Sequence, residues 1–191
     1  KSFGYLVLYE TGYSLLAIGL AQTGGLNYLA MLIVPRLLSY AMLSLALSAL
    51  WQNKGAHALD YKFQEGLFKS RPLVSAGILI GFFSLLGLPL LPIFPHKQML
   101  WLLTAEANPR LLLGILVGSL GVLVSAARLT RLFSREQTTG AAVQPVREKT
   151  GLIVLMLIIL LLMAVMGAST QFLSPRFLEI LAPFTQLVPI P

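Results

Sequence analysis

The sequence predicts an all-α fold, that of a polytopic transmembrane protein with about five helical crossings, one of them broken by prolines. Hydrophobic residues make up 57% of the 191 residues and charged residues only 11%, and the mean hydropathy is +0.81. Such a composition is far too apolar for an ordinary soluble domain. The apolar residues also fall into runs of roughly 20 residues, the length that crosses a bilayer as a helix. The basic residues gather between those runs, as they do in membrane proteins.

Five apolar runs follow one another along the chain. The predicted helices span about residues 3–22, 26–51, 73–104, 111–133 and 151–173. Together they make one transmembrane domain over residues 1–173, and the proline-punctuated residues 174–191 are expected to form an interfacial tail. Thr23-Gly24-Gly25 predicts a tight turn, and Pro35 predicts a kink in the second helix. Small residues share one face of the fourth helix and predict close packing against a neighbouring helix. They are Gly114, Gly118, Gly121 and Ser125.

The third predicted helix cannot be continuous. Proline lacks a backbone donor and disfavours helical geometry at the residue before it, and three prolines break this run near residues 89–96. The expected hinge residues are Gly87, Pro89, Pro92 and Pro95. Lys97 follows the break directly. A lysine beside unwound backbone inside a membrane is costly, and it usually marks an ion pathway or a polar packing site.

The basic residues are distributed unevenly between the two sides of the predicted membrane domain. With five crossings, ten of the fourteen Lys and Arg residues fall at Lys1 and in the loops 52–72 and 128–150, whereas only Arg110 and Arg176 lie on the other side. Because basic loops stay on the cytoplasmic side, we expect an integral, multi-pass protein of a bacterial cytoplasmic, thylakoid or inner organelle membrane. A net charge of +7 arranged in this way is no signal for nucleic-acid binding. The absence of cysteine excludes disulfides and thiolate-held metals or iron–sulfur clusters.

Four segments, in a shared order, resemble one family of membrane proteins. The most specific is Ser84-Leu85-Leu86-Gly87-Leu88-Pro89 with Phe94 and Lys97, which is similar to that family's broken helix with its lysine. The other three are Lys1-Ser2-Phe3-Gly4-Tyr5 with Gly12-Tyr13, Asp60 with Gly66-Leu67 and Arg71-Pro72, and the helix from Leu112 to Phe133. Together they resemble the C-terminal half of the antiporter-like proton-translocating subunits of respiratory complex I (NADH-quinone oxidoreductase). The first half of that fold has no counterpart in the 191 residues, so we expect the chain to be part of a longer polypeptide.

The resemblance implies a function. It suggests a proton-translocating membrane-arm subunit of a complex I-like NAD(P)H:quinone oxidoreductase. Such a subunit serves the enzyme as part of its translocase and carries no redox cofactor, since partner subunits transfer the electrons. The expected partners are other membrane-arm subunits and lipid. Two alternatives remain open at this point: a subunit of a multisubunit cation/proton antiporter of the same ancestry, and a non-conducting structural membrane subunit.

Four residues are candidates for the proton pathway, and none is expected to be catalytic or to bind a metal. Lys97 is the central one, because desolvation destabilises a charged amine; the alternative is a lysine that snorkels to the interface. Arg36 stays protonated, so it either tunes neighbouring sites or is solvated by kinked backbone at Pro35. Glu10 is a pathway acid, a partner of Arg36, or a residue near the headgroups. His96 is either a proton relay or a half-helix cap.

Overall fold

The computed structural model describes residues 2–54, 65–135 and 150–185. Within these ranges the chain forms helices and turns, without any strand. The α-helices are α1 (Ser2–Gly19), α2 (Gly25–Lys54), α3 (Leu67–Ser70), α4 (Pro72–Leu86), α5 (Phe94–Ala107), α6 (Pro109–Ser134) and α7 (Thr150–Thr185). A 3₁₀ helix covers Ala21–Thr23. Lys1 and Asp60, on which parts of the resemblance depend, lie outside the described residues.

Among the described residues, three helices are long and apolar enough to cross a membrane by themselves. The spans are Gly25–Gln52 in α2, Pro109–Ser134 in α6 and Thr150–Ala168 in α7. The helix α4 is also apolar but has only 15 residues. Large apolar side chains are exposed along α6 and α7, for example Val117 and Leu161, as expected where lipid covers the surface. The prediction of an all-α, polytopic membrane protein is therefore confirmed, whereas the number of crossings stays a prediction.

The helix α2 lies at the centre of the bundle and packs against α1, α4 and α7. It approaches α4 closely at Gly81, where an added Cβ would lie 3.1 Å from the Ser39 carbonyl oxygen and from Leu43 Cβ. The Ser39 and Ser84 hydroxyls share a buried hydrogen bond of 2.7 Å. Small residues allow helix backbones to approach in this way. The contact fixes the C-terminal end of α4 against the middle of α2.

The small-residue face of α6 is not packed as the sequence predicted. An added Cβ at Gly114, Gly118 or Gly121 would meet no described atom within 4 Å. The helix turns a different set of side chains inward, namely Val122, Ala126, Leu129 and Phe133. Within the part of the chain that the structure describes, no helix packs on this face, and close packing against a helix of another chain stays a prediction.

Seven residues, 87–93, form non-helical turns between α4 and α5. Gly87 ends α4 with left-handed backbone angles of φ 82° and ψ 48°, and its N–H donates to the Phe83 and Ser84 carbonyl oxygens. The Leu88 N–H also donates to Phe83 at 3.1 Å. This pattern closes a helix and favours glycine at the left-handed position. Leu90 has a positive φ of 72° as well, which is uncommon outside glycine.

The helix bounds differ most from the predicted ones in three places. The first helix ends at Gly19 rather than near residue 22, and a 3₁₀ turn follows it. The interruption before α5 ends at Ile93, so Pro95 lies in the first turn of α5, where a missing N–H costs nothing. The last helix continues to Thr185 instead of ending near residue 173. The interfacial position of the tail stays a prediction.

Candidate functional site

Lys97 lies in α5, shortly after the interruption, and its side chain is fully buried. The ammonium group donates to a carboxylate oxygen of Glu10 and to the backbone carbonyl of Leu85. In a continuous helix the Leu85 carbonyl would accept from residue 89, but that residue is Pro89, which has no N–H. The interruption of α4 therefore leaves an acceptor that the lysine uses. The side chain does not snorkel to an interface.

Gly87 provides the space through which the lysine stem passes. An added Cβ at Gly87 would lie 2.8 Å from Lys97 Cδ and 3.7 Å from Cε. The left-handed backbone at this position independently favours glycine. One residue thus ends α4 and makes room for the buried lysine.

Glu10 is buried on α1 and lies between two cations. One of its carboxylate oxygens accepts from Lys97. The other lies 2.8 Å from Arg36 Nε, in an ion pair whose angle is too poor for a hydrogen bond. Arg36 also donates to the Ser14 hydroxyl at 2.7 Å. The arrangement joins α1, α2 and α5 through one carboxylate.

Two tyrosines of α1 complete the surroundings of the lysine. The Lys97 ammonium nitrogen lies 4.6 Å from the Tyr9 ring centroid and 4.4 Å from that of Tyr13. The Tyr9 hydroxyl donates to the Tyr13 hydroxyl at 3.3 Å, and the Trp101 indole N–H donates to the same oxygen. The sequence reasoning missed both tyrosines as site residues. Their signal was the spacing of four between Tyr9 and Tyr13 and of three between Glu10 and Tyr13, because residues three or four apart are neighbours on a helix surface.

The structure brings together three of the four candidate pathway residues. Glu10, Arg36 and Lys97 form one cluster, in which Glu10 and Lys97 are buried and the Arg36 side chain is 16% exposed. His96 does not join this cluster. Among the described residues, its side chain makes no hydrogen bond or ion pair. Gly87, Pro89 and Pro92 lie in the interruption, and Pro95 follows it.

The cluster contains two groups that can exchange a proton and one that cannot. Lys97 and Glu10 share a hydrogen bond along which a proton can move. Arg36 stays protonated under all ordinary conditions. Within residues 2–54, 65–135 and 150–185, no three His, Cys, Asp or Glu side chains cluster as metal ligands. The chemistry that the described residues support is proton exchange at a buried amine.

A buried lysine–carboxylate pair beside interrupted helices, inside an apolar bundle, is typical of membrane proteins that move ions. The chain belongs to the NADH:quinone oxidoreductase/Mrp antiporter transmembrane family, whose model matches residues 8–125. The matched region contains Glu10, Arg36 and Lys97 and extends from α1 into α6. It confirms, at the level of the family, the resemblance seen in the sequence. No curated protein matches the chain.

Proposed function

We propose that the chain is a proton-translocating membrane-arm subunit of an NAD(P)H:quinone oxidoreductase related to respiratory complex I. The observation that carries the proposal is the fully buried Lys97, whose ammonium group is bonded to Glu10 inside an apolar bundle. An ionisable group in such a place is costly and is a functional site by default. The family match supports the proposal, since its description includes NADH:quinone oxidoreductase. In this proposal the chain holds no redox cofactor, and its partner subunits transfer the electrons.

Arg36 allows Lys97 to release its proton without leaving a lone charge on Glu10. While Lys97 is protonated, the carboxylate is shared between the two cations. Once Lys97 is neutral, Arg36 at 2.8 Å still compensates the carboxylate. Because an uncompensated buried charge is strongly destabilising, this second partner makes the neutral state of Lys97 accessible. Arg36 is thus a modulating residue in the pathway and does not relay the proton.

We further propose that α4 and α5 are the two halves of one broken transmembrane element. Gly87, Pro89 and Pro92 are its hinge residues, whereas Pro95 lies in the first turn of the second half. The support is the run of turns at 87–93 between two apolar helices. Irregular backbone at membrane depth is tolerated where protein buries it or where it lines a polar site. The basic loops would face the cytoplasm of a bacterial cell or its organelle counterpart.

The second candidate is a subunit of a multisubunit cation/proton antiporter, because the family description names the Mrp antiporter as well. The same buried amine serves both functions. The difference lies in the partners, which a redox-driven complex must include. Mass spectrometry of what co-purifies with the chain in mild detergent separates them. Flavin and iron–sulfur subunits in constant stoichiometry support the first candidate, and small membrane subunits alone support the second.

The proton role itself is tested by Lys97→Ala in the assembled complex. Proton translocation is measured in proteoliposomes together with the driving reaction, and the expected result is at least a tenfold loss of translocation. Arg110→Ala is the matched control, because it removes an exposed cation at the start of α6. Unchanged translocation by an assembled Lys97→Ala complex contradicts the proposal and favours the non-conducting, structural alternative.

A further inference from the structure

We infer that Tyr9 and Tyr13 are positioning residues that hold the protonated Lys97 through the faces of their rings, as an aromatic clamp. The term aromatic clamp denotes these two rings. The inference rests on the proposed function only in taking Lys97 as the proton site. Both ring centroids lie within 6 Å of the ammonium nitrogen, at 4.6 Å and 4.4 Å. That is the range in which a cation is attracted to an aromatic face.

The donors of the ammonium group point to the same conclusion. A protonated lysine has three N–H donors. Two of them are used by the Glu10 carboxylate and the Leu85 carbonyl. Among the described residues, the third finds no oxygen acceptor and meets the two tyrosine faces instead. The clamp therefore supplies the third partner that burial would otherwise deny to the cation.

The hydroxyl groups of the two tyrosines are engaged elsewhere. The Tyr13 oxygen accepts from the Trp101 indole and from the Tyr9 hydroxyl. The rings lie 4.9 Å apart at 67° to each other, and among the described residues no hydrogen bond joins Lys97 to either hydroxyl. The spacing of four residues on α1 produces this geometry. The ring faces are thus the tyrosine groups that the Lys97 ammonium group meets.

The clamp acts on only one of the two states of the lysine. The negative face of an aromatic ring attracts a cation through its quadrupole. A neutral amine lacks this attraction. The rings therefore help to retain the proton on Lys97, whereas the nearby guanidinium of Arg36 favours its release. The rings thus act in the same direction as the Glu10 carboxylate, which also favours the charged amine.

The test uses the intact complex and the chemical reactivity of the amine, since only a neutral lysine reacts with an acylating reagent. Acetylation of Lys97 by acetic anhydride at fixed pH is followed by peptide mass spectrometry. Tyr9→Phe and Tyr13→Phe keep the ring, and we expect a rate within about twofold of the native rate. Tyr9→Met and Tyr13→Met remove the ring, and we expect a rise of about tenfold for each. Met variants that react no faster than the native protein contradict the clamp. Phe variants that react as fast as the Met variants also contradict it.

Two controls separate the clamp from access and from folding. Phe94→Met removes a ring that packs on Trp101 in the same region, and its rate should stay within about twofold of native. Phenylalanines with one, two and three ring fluorines at position 9 keep the shape and weaken the negative face stepwise. Reactivity should rise with each fluorine, and a flat series contradicts the inference. The labelling rate reports the state of the amine even if Lys97→Ala leaves translocation unchanged, so failure of the proposed function remains distinguishable.

Discussion

The inward face of α4 and the outward face of α6 both carry glycines at helical spacing, yet only the first is packed. At Gly81 of α4 an added Cβ would lie 3.1 Å from atoms of α2. At Gly118 of α6 it would meet no described atom within 4 Å. The spacing of small residues shows that a face can accept a close neighbour, but the neighbour must also lie within reach. The same holds for charged groups: Glu10 is enclosed by two cations, whereas Glu106 on α5 is exposed.

The largest difference in stability between an inward and an outward substitution is expected for the two glutamates, Glu10 and Glu106. Glu10→Gln leaves Lys97 and Arg36 facing each other in a buried site, and breaking a buried ion pair costs about 3–5 kcal/mol. Glu106→Gln changes an exposed residue, and we expect a change within about 0.5 kcal/mol. The free energy of unfolding of the two variants in lipid or mild detergent gives the comparison. Equal stabilities contradict the described enclosure of Glu10.

A smaller difference in stability is expected between substitutions of the inward Gly81 and the outward Gly118. Gly81→Leu forces a side chain between α4 and α2, and overpacking of this kind costs about 1–3 kcal/mol. Gly118→Leu adds a side chain to an open face and should leave the stability within about 0.5 kcal/mol. The thermal unfolding midpoint of each variant in the same detergent checks this pair. If Gly118→Leu is the more harmful substitution, α6 is packed on its glycine face after all.

The smallest effect is expected at the hydroxyl pair between the helices. Ser84→Ala removes the 2.7 Å bond to Ser39, and such bonds within membranes contribute about 0.6 kcal/mol on average. Ser44→Ala is the control, since its exposed hydroxyl donates only to the Ala41 carbonyl of its own helix. A double-mutant cycle with Ser39→Ala measures the pair directly. A coupling energy of zero shows that the contact does not stabilise the packing of α2 on α4.

Much of the fold could be predicted from local sequence, because in lipid the backbone N–H and C=O groups of a spanning segment must form their hydrogen bonds within that segment. The apolar runs predicted the helices, and the prolines after Gly87 predicted the end of α4. Lys97 was also identified, because a charge in an apolar run is conspicuous. These features depend on neighbours in the chain and not on how the helices are arranged.

Which residues surround Lys97 depends on how the helices pack, and this was harder to predict from the sequence. Sequence distance did not decide the case of His96, which is adjacent to Lys97 in the chain but makes no hydrogen bond or ion pair among the described residues. Its role as a proton relay stays a prediction. Tyr9 and Tyr13 lie about ninety residues away and reach the lysine only because α1 packs near α5. Whether Glu10 meets Arg36 was left open among alternatives, and the 2.8 Å ion pair answers that question. The charged residues themselves could be predicted from the sequence, whereas the residues that contact them could be identified only from the tertiary structure.

The bond from Lys97 to the Leu85 carbonyl couples the winding of a helix to the occupancy of a proton site. A protonated lysine stabilises the frayed end of α4, because it satisfies a carbonyl for which Pro89 has no N–H. Linkage works in both directions. An event that displaces the last turn of α4 is therefore expected to change the proton affinity of Lys97. Loss of the proton is expected to weaken the bond to that turn, because a neutral amine is a poorer donor than an ammonium group. Because of Pro89, the conformation at the end of α4 and the protonation of Lys97 are thermodynamically linked.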